Sequence, residues 1–231
     1  MLDVPHPNLR IEIREELARF YPDELTRWKN PVWWAGDHWR KVLPESEWPR
    51  YDKFRKQAAL SRENLGAAHA GSTSRRRKGT DLESFAEVRH MRTLQAEGYE
   101  WRYENYELFV DPGEGAAEYR PGYLLAREAF GEAKMAALQS LAKVYRPFDK
   151  AWPRVPDLFA FRREAGAITG CHFIECKRDD DLSLLQLLGL ALIKKALDVP
   201  VKVVRFVLDG KAVDATVHRG DFRPRTMAEP A

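Results

Sequence analysis

Cysteine is scarce: Cys171 and Cys176 are the only two in 231 residues. They lie five apart in one strand-like stretch, with no further Cys or His at ligand spacing, which excludes a disulfide scaffold and a structural zinc site. No apolar run approaches the roughly 20 residues that span a bilayer. The most apolar stretch, Leu184–Leu197, carries Lys194 and Lys195 inside it. The opening MLDVPHPNLR lacks the basic start and apolar run of a secretory leader, so the chain reads as soluble and cytoplasmic, with no membrane partner. Net charge is only +3, and no internal repeat is visible.

What the chain has is enough apolar material for a core. With 44% hydrophobic and 32% charged residues it is too ordinary for wholesale disorder. Its length suits one medium domain of about 150 residues with an appendage. Charge is unevenly placed: residues 1–79 hold 16 Lys and Arg against 11 Asp and Glu, and residues 80–231 hold 22 against 24. A basic flank on a locally acidic body suits a nucleic-acid enzyme whose metal site needs carboxylates, though an excess of this size is also common in proteins that touch no nucleic acid.

Residues 9–30 mix apolar and charged positions at roughly helical spacing, with Pro22 closing the first segment, and predict one or two short helices. An aromatic-rich stretch follows, with Trp28, Trp33, Trp34, Trp39 and Trp48 among Arg40, Lys41, Arg50, Lys53, Arg55 and Lys56. Such a mixture stacks bases and meets phosphates, or it forms the small core of a helical subdomain. Residues 66–79 are small and polar and end in Arg75, Arg76, Arg77 and Lys78. They mark a linker and a domain boundary, and the basic run is a candidate phosphate contact unless it is simply a solvated charge run.

Residues 80–97 predict a helix, with Thr80 and Glu83 as a capping box and Gly98 just past its end. Residues 99–110 predict a strand or hairpin closed by Asp111-Pro112-Gly113. Residues 111–154 read as an insertion containing a helix over about 124–145, broken by Gly131. Beyond it, PDLFAF and CHFIECK predict strands joined by a turn-rich REAGAITG segment. Ser183 and Gln186 cap an apolar helix, VKVVRFVL reads as a buried strand, and Asp209-Gly210 as a hairpin turn.

Chemistry concentrates in Pro156-Asp157 and Glu175-x-Lys177. Side chains two apart on a strand share a face, so Glu175 and Lys177 project together and Cys176 points the other way. If PDLFAF pairs beside CHFIECK, Asp157 joins them, giving two oxygen ligands for a hard divalent cation and a lysine next to its water, a combination suited to phosphodiester hydrolysis. A surface Glu-x-Lys on an amphipathic strand is the plainer alternative. His172 falls on the face opposite Glu175 and reads as structural. Asp179, Asp180 and Asp181 form an acidic loop, read as a solvated turn and helix start or as added attraction for a cation.

The order PDLFAF, FIECK, DLSLLQ before an apolar helix, then VKVVRFV resembles the PD-(D/E)XK nuclease superfamily, and within it the virus-type replication-repair nuclease (VRR-NUC) domain. Pro156, Asp157, Glu175, Lys177, Leu182, Ser183 and Gln186 match its pattern in order, clearly over 155–207 and weakly over 82–110. The resemblance implies an α/β, restriction-endonuclease-like fold, a mixed central sheet flanked by helices, here with a helical N-terminal extension. It implies Mg²⁺ or Mn²⁺ on Asp157 and Glu175, with Glu87 completing the acidic cluster, Lys177 assisting the attacking water and Gln186 supporting the site. Glu87 also sits on a helix stripe with Met91 and Leu94, where an acidic side chain is costly unless paired or metal-bound.

The resulting expectation is an extension over 1–79, a nuclease core over 80–222 and a tail over 223–231. The function expected is that of a metal-dependent DNA endonuclease, with DNA as partner and branched or flap DNA as candidate substrate. The rival expectation is a nucleic-acid-binding or interaction module of a replication, repair or defence complex on a nuclease-like core. The Trp-rich region would then provide a homodimer or protein-partner interface.

Overall fold

The computed structural model describes residues 6–22, 24, 85–103, 106–113, 119–146 and 151–224. The Trp-rich stretch, the linker with its basic run, and Thr80 and Glu83 lie outside them. The described chain is a mixed α/β structure. Strands β1 (Leu9–Arg14) and β2 (Glu16–Phe20) precede helix α1 (Phe85–Ala96), β3 (Glu100–Tyr103), α2 (Arg120–Phe130) and α3 (Glu132–Tyr145). Then come β4 (Leu158–Glu164), β5 (Ala167–Lys177), α4 (Leu184–Leu197), β6 (Val201–Leu208) and β7 (Val217–Phe222). Five strands form one sheet in the order β2-β6-β5-β4-β3, and β1 pairs with β7 in a second, two-stranded sheet. The β2-β6 and β6-β5 pairs are parallel, whereas β5-β4 and β4-β3 are antiparallel. Among the described residues no helix is long and apolar enough to cross a membrane.

The helices expected over 9–30 are corrected at residues 9–14 and 16–20, which are strands. Leu9, Ile11 and Ile13 are buried while Arg10, Glu12 and Arg14 are exposed, a period of two rather than 3.6, and β-branched isoleucine favours the pleated surface. Asp209-Gly210 makes a turn with Gly210 at φ +79°, but it closes no hairpin. The edge of β6 is already taken by β2, and β7 pairs with β1 instead. Of the strand or hairpin expected over 99–110, the described residues show a strand at Glu100–Tyr103 and none at 106–110. The REAGAITG connection shrinks to Ala165-Gly166, both at positive φ, the two-residue turn that suits a twisted hairpin.

The main sheet carries a core on each face. On one, Phe85, Ala86, Met91 and Leu94 of α1 pack with Leu158, Ala160, Ile174, Cys176, Val204 and Phe206. On the other, α4, α3, α2 and β1 pack over Phe159, Phe173 and Val203. Phe159 and Phe173 are register partners on β4 and β5 and stack at 4.7 Å between centroids, a contact of about 1 kcal/mol beyond its buried area. It pins the register that the site depends on. Helix α1 ends as the sequence suggests: Gly98 takes φ +76° and the Tyr99 N–H donates to the Leu94 carbonyl at 2.9 Å, satisfying a terminal carbonyl. Helices α2 and α3 are separated by Gly131 at φ +80°. They bury Tyr123, Ala126, Met135, Leu138, Ala142 and Tyr145, so this stretch helps to build the core.

Gly189 decides how the chain enters β4. A Cβ there would lie 2.1 Å from the Arg154 carbonyl oxygen, and the Arg154 N–H donates to the Leu185 carbonyl at 3.1 Å. The segment before Asp157 therefore lies directly on α4 where a side chain is missing. Gly189→Ala should raise helix propensity by up to about 1 kcal/mol, yet the clash is with backbone, so a net loss of about 1–3 kcal/mol is expected. A urea melt with unchanged or higher stability would show that the segment does not need this approach.

Candidate active site

The candidate residues converge at the end of β5. Leu158 pairs with Ile174, and continuing that antiparallel register by one step sets Asp157 opposite Glu175. The Cys176 N–H donates to Asp157 Oδ2 at 2.8 Å, fixing one carboxylate oxygen on the neighbouring strand. Tyr106, fully enclosed, donates its hydroxyl to the Pro156 carbonyl, holding the Pro-Asp step from the other side. Glu175 and Lys177 are 1% and 4% exposed, and Lys177 Nζ lies 2.9 Å from Glu175 Oε1. They are therefore a buried pair, not the surface pair of the plainer alternative.

Helix α4 completes the arrangement through its first turn. Ser183 accepts from the Gln186 backbone, while Gln186 Oε1 accepts from the Ser183 N–H at 2.9 Å. With its oxygen committed to the cap, the Gln186 amide turns its nitrogen outward and donates to Glu175 Oε1. The cap thus sets the orientation of a side chain that meets the site. In the loop before it, Asp180 Oδ2 accepts from Lys177 Nζ at 2.9 Å, giving one aspartate of the acidic loop a definite partner.

The electrostatics is that of carboxylates crowded together out of water. Burial raises the Asp157 pKa well above its ordinary value, and the charges of Glu175 and Glu87 raise it further. Glu175 is also raised, chiefly by burial, despite the neighbouring Lys177. Burial alone would lower Lys177, but its contacts with Glu175 and Asp180 prevail and raise it. The ammonium stays protonated. Glu87 lies in the first turn of α1, the helix on the opposite face of the sheet from α4, and reaches the site electrostatically through its effect on Asp157 and Cys176. Among the described residues no three His, Cys, Asp or Glu side chains stand together in an arrangement ready to hold a metal ion.

The residues that do converge suit a divalent cation in their chemistry. Asp157 and Glu175 are hard oxygen donors whose mutual repulsion a positive ion would relieve. His172 stands apart, packed edge-on to Tyr99 at 4.8 Å, and burial lowers its pKa and brings that of His90 down to about 4. Arg75, Arg76, Arg77 and Lys78 lie outside the described residues.

Sequence reasoning overlooked a second buried charge cluster behind the site. Glu15, between β1 and β2, has a side chain with 0% exposure and accepts from two of the three Arg205 nitrogens, Nε at 2.8 Å and Nη2 at 2.7 Å. His218 Nε2 lies 2.9 Å away, and the Thr216 N–H donates to the same carboxylate at 3.3 Å. Burial pushes the Glu15 pKa up, but these hydrogen bonds prevail and hold it at about 2. One signal was in the sequence: Arg205 interrupts an apolar strand, and a charge buried there requires a counter-charge. Compared with known proteins, the chain matches no family model, no curated protein and no solved structure.

Proposed function

We propose that this chain is a metal-dependent DNA endonuclease that hydrolyses phosphodiester bonds, with a PD-(D/E)XK core of the VRR-NUC kind and activity on branched or flap DNA. The observation that carries the reading is the meeting on adjacent strands of Asp157, fixed by the Cys176 N–H at 2.8 Å, with the buried Glu175 and Lys177, themselves 2.9 Å apart; burial raises the pKa of both carboxyls. Asp157 and Glu175 would hold Mg²⁺ or Mn²⁺, with Glu87 adding negative charge. Bound there, the cation supplies Lewis-acid stabilisation of phosphoryl charge and lowers the pKa of water. Lys177, being protonated, orients the attacking water and offsets charge growing on the phosphoryl oxygens, a role for a preorganised donor rather than a base. Gln186 keeps Glu175 in place, and Tyr106 keeps Pro156 in place.

The test is a gel panel of supercoiled, linear, single-stranded and branched DNA with Mg²⁺, Mn²⁺ or EDTA. Cleavage with metal and none with EDTA is expected, strongest on branched substrates. No cleavage of any substrate with either metal would overturn the reading, and binding without cleavage would favour the non-catalytic module.

Stability should report the same site without catalysis. A carboxyl whose folded pKa is raised contributes stability below its unfolded pKa and loses it as pH rises through the folded value. Asp157 and Glu175 should therefore weaken the metal-free protein on going from acid to neutral pH, and Mn²⁺ should restore that loss. The metal-induced rise in melting temperature is expected to be larger at pH 8 than at pH 5, and a pH-independent rise would argue against these two ligands.

A further inference from the structure

We infer that Glu15 and Arg205 form a positioning pair for Lys177, acting through the loop between β5 and α4. This rests on the nuclease reading for its catalytic part. Lys177 and Arg205 are register partners on the parallel strands β5 and β6. Arg205, clamped by Glu15, donates from Nη1 to the Arg178 carbonyl at 3.3 Å and to the Asp180 carbonyl at 3.2 Å. The backbone around Asp180 is thereby tied to the interior of β6. Asp180 in turn holds Lys177 Nζ, which faces Glu175, each at 2.9 Å.

The chain of contacts runs from Glu15 through Arg205 and the 178–180 backbone to Asp180, and ends on the ammonium. The Asp180 side chain is 68% exposed. An exposed aspartate on a free loop would spend most of its time in water, because a single surface ion pair is weak. Here the backbone beneath it is fixed by a buried, bidentate pair, so the carboxylate is presented to Lys177 at little further entropic cost. Glu15 also accepts from Thr216 and faces His218, which ties β7 to the same anchor.

The experiment uses the full chain and the variants R205K, D180N and the double variant, read in two ways. The first is kcat and KM on the DNA substrate that the wild type cleaves best. D180N and R205K should each lower kcat at least about tenfold with KM within about twofold, since small displacements of a reacting group are costly. The double variant should be no worse than the worse single, because both cut one chain of contacts. The second reading is the side-chain ammonium signal of Lys177 in a ¹⁵N-lysine NMR spectrum, which should shift or broaden in both variants, with faster amide exchange at 178–181 in R205K. Where R205K does not fold, E15D, which keeps the buried charge but shortens its reach, takes its place. An unchanged Lys177 signal in R205K, or effects on kcat that multiply in the double variant, would overturn the inference; D180N, which removes a direct partner of Lys177, shows the size of shift to expect. A wild type that cleaves nothing would defeat the nuclease reading alone, and the NMR signal would still decide whether Arg205 positions Lys177.

Discussion

Asp157→Asn, Glu175→Gln and Lys177→Met are each expected to lower cleavage at least about 100-fold, the scale lost when one preorganised stabilising group is removed. Stability should move differently. Asp157 is repelled by Glu175 and by Glu87, so Asp157→Asn should leave the metal-free melting temperature unchanged or raised while abolishing the shift produced by Mn²⁺. Lys177→Met should lower stability, because it leaves Glu175 buried beside Asp157 without its ammonium. Glu87→Gln should also reduce cleavage strongly. Near-normal cleavage in any two of the first three, measured beside calorimetric melts, would remove the assignment. Loss of cleavage with equal loss of fold in all of them would make these residues structural only.

Deleting residues 1–20 is expected to abolish cooperative folding. The deletion removes β2 from the edge of the main sheet and leaves β7 without β1. Arg205 loses Glu15, and breaking a buried ion pair costs about 3–5 kcal/mol. Leu9, Ile11, Ile13 and Phe20, all buried, add roughly 1.5–3 kcal/mol each. The sum rivals the whole stability of a domain, about 5–15 kcal/mol. Circular dichroism during heating would decide it. A truncated protein melting cooperatively within a few degrees of the full chain would show that the first two strands are a separable appendage, as an extension over 1–79 implies.

Several elements were legible because their signals are local. Ser183-x-x-Gln186 specified the start of α4, since a capping box needs only residues three apart. Gly98 specified the end of α1, since the left-handed turn there suits a residue without a Cβ. The alternation of CHFIECK set Glu175 and Lys177 on one face and Cys176 on the other. The strand LRIEIR was misread although its alternation is strict, because the charged residues that follow it also fit a helical spacing over a longer window.

By itself, then, the sequence determined which residue types stand at the ends of β4, β5 and α4, and on which side of each element they project. Tertiary structure alone decided that β6 is enclosed by β2 and β5, that β7 turns away to join β1, and that Glu15 meets Arg205 across 190 positions. The reason is physical. Caps and strand faces follow from contacts a few residues apart, whereas strand neighbours and the partner of a buried charge are selected by burial of the whole chain at once, to which no short stretch of sequence has access.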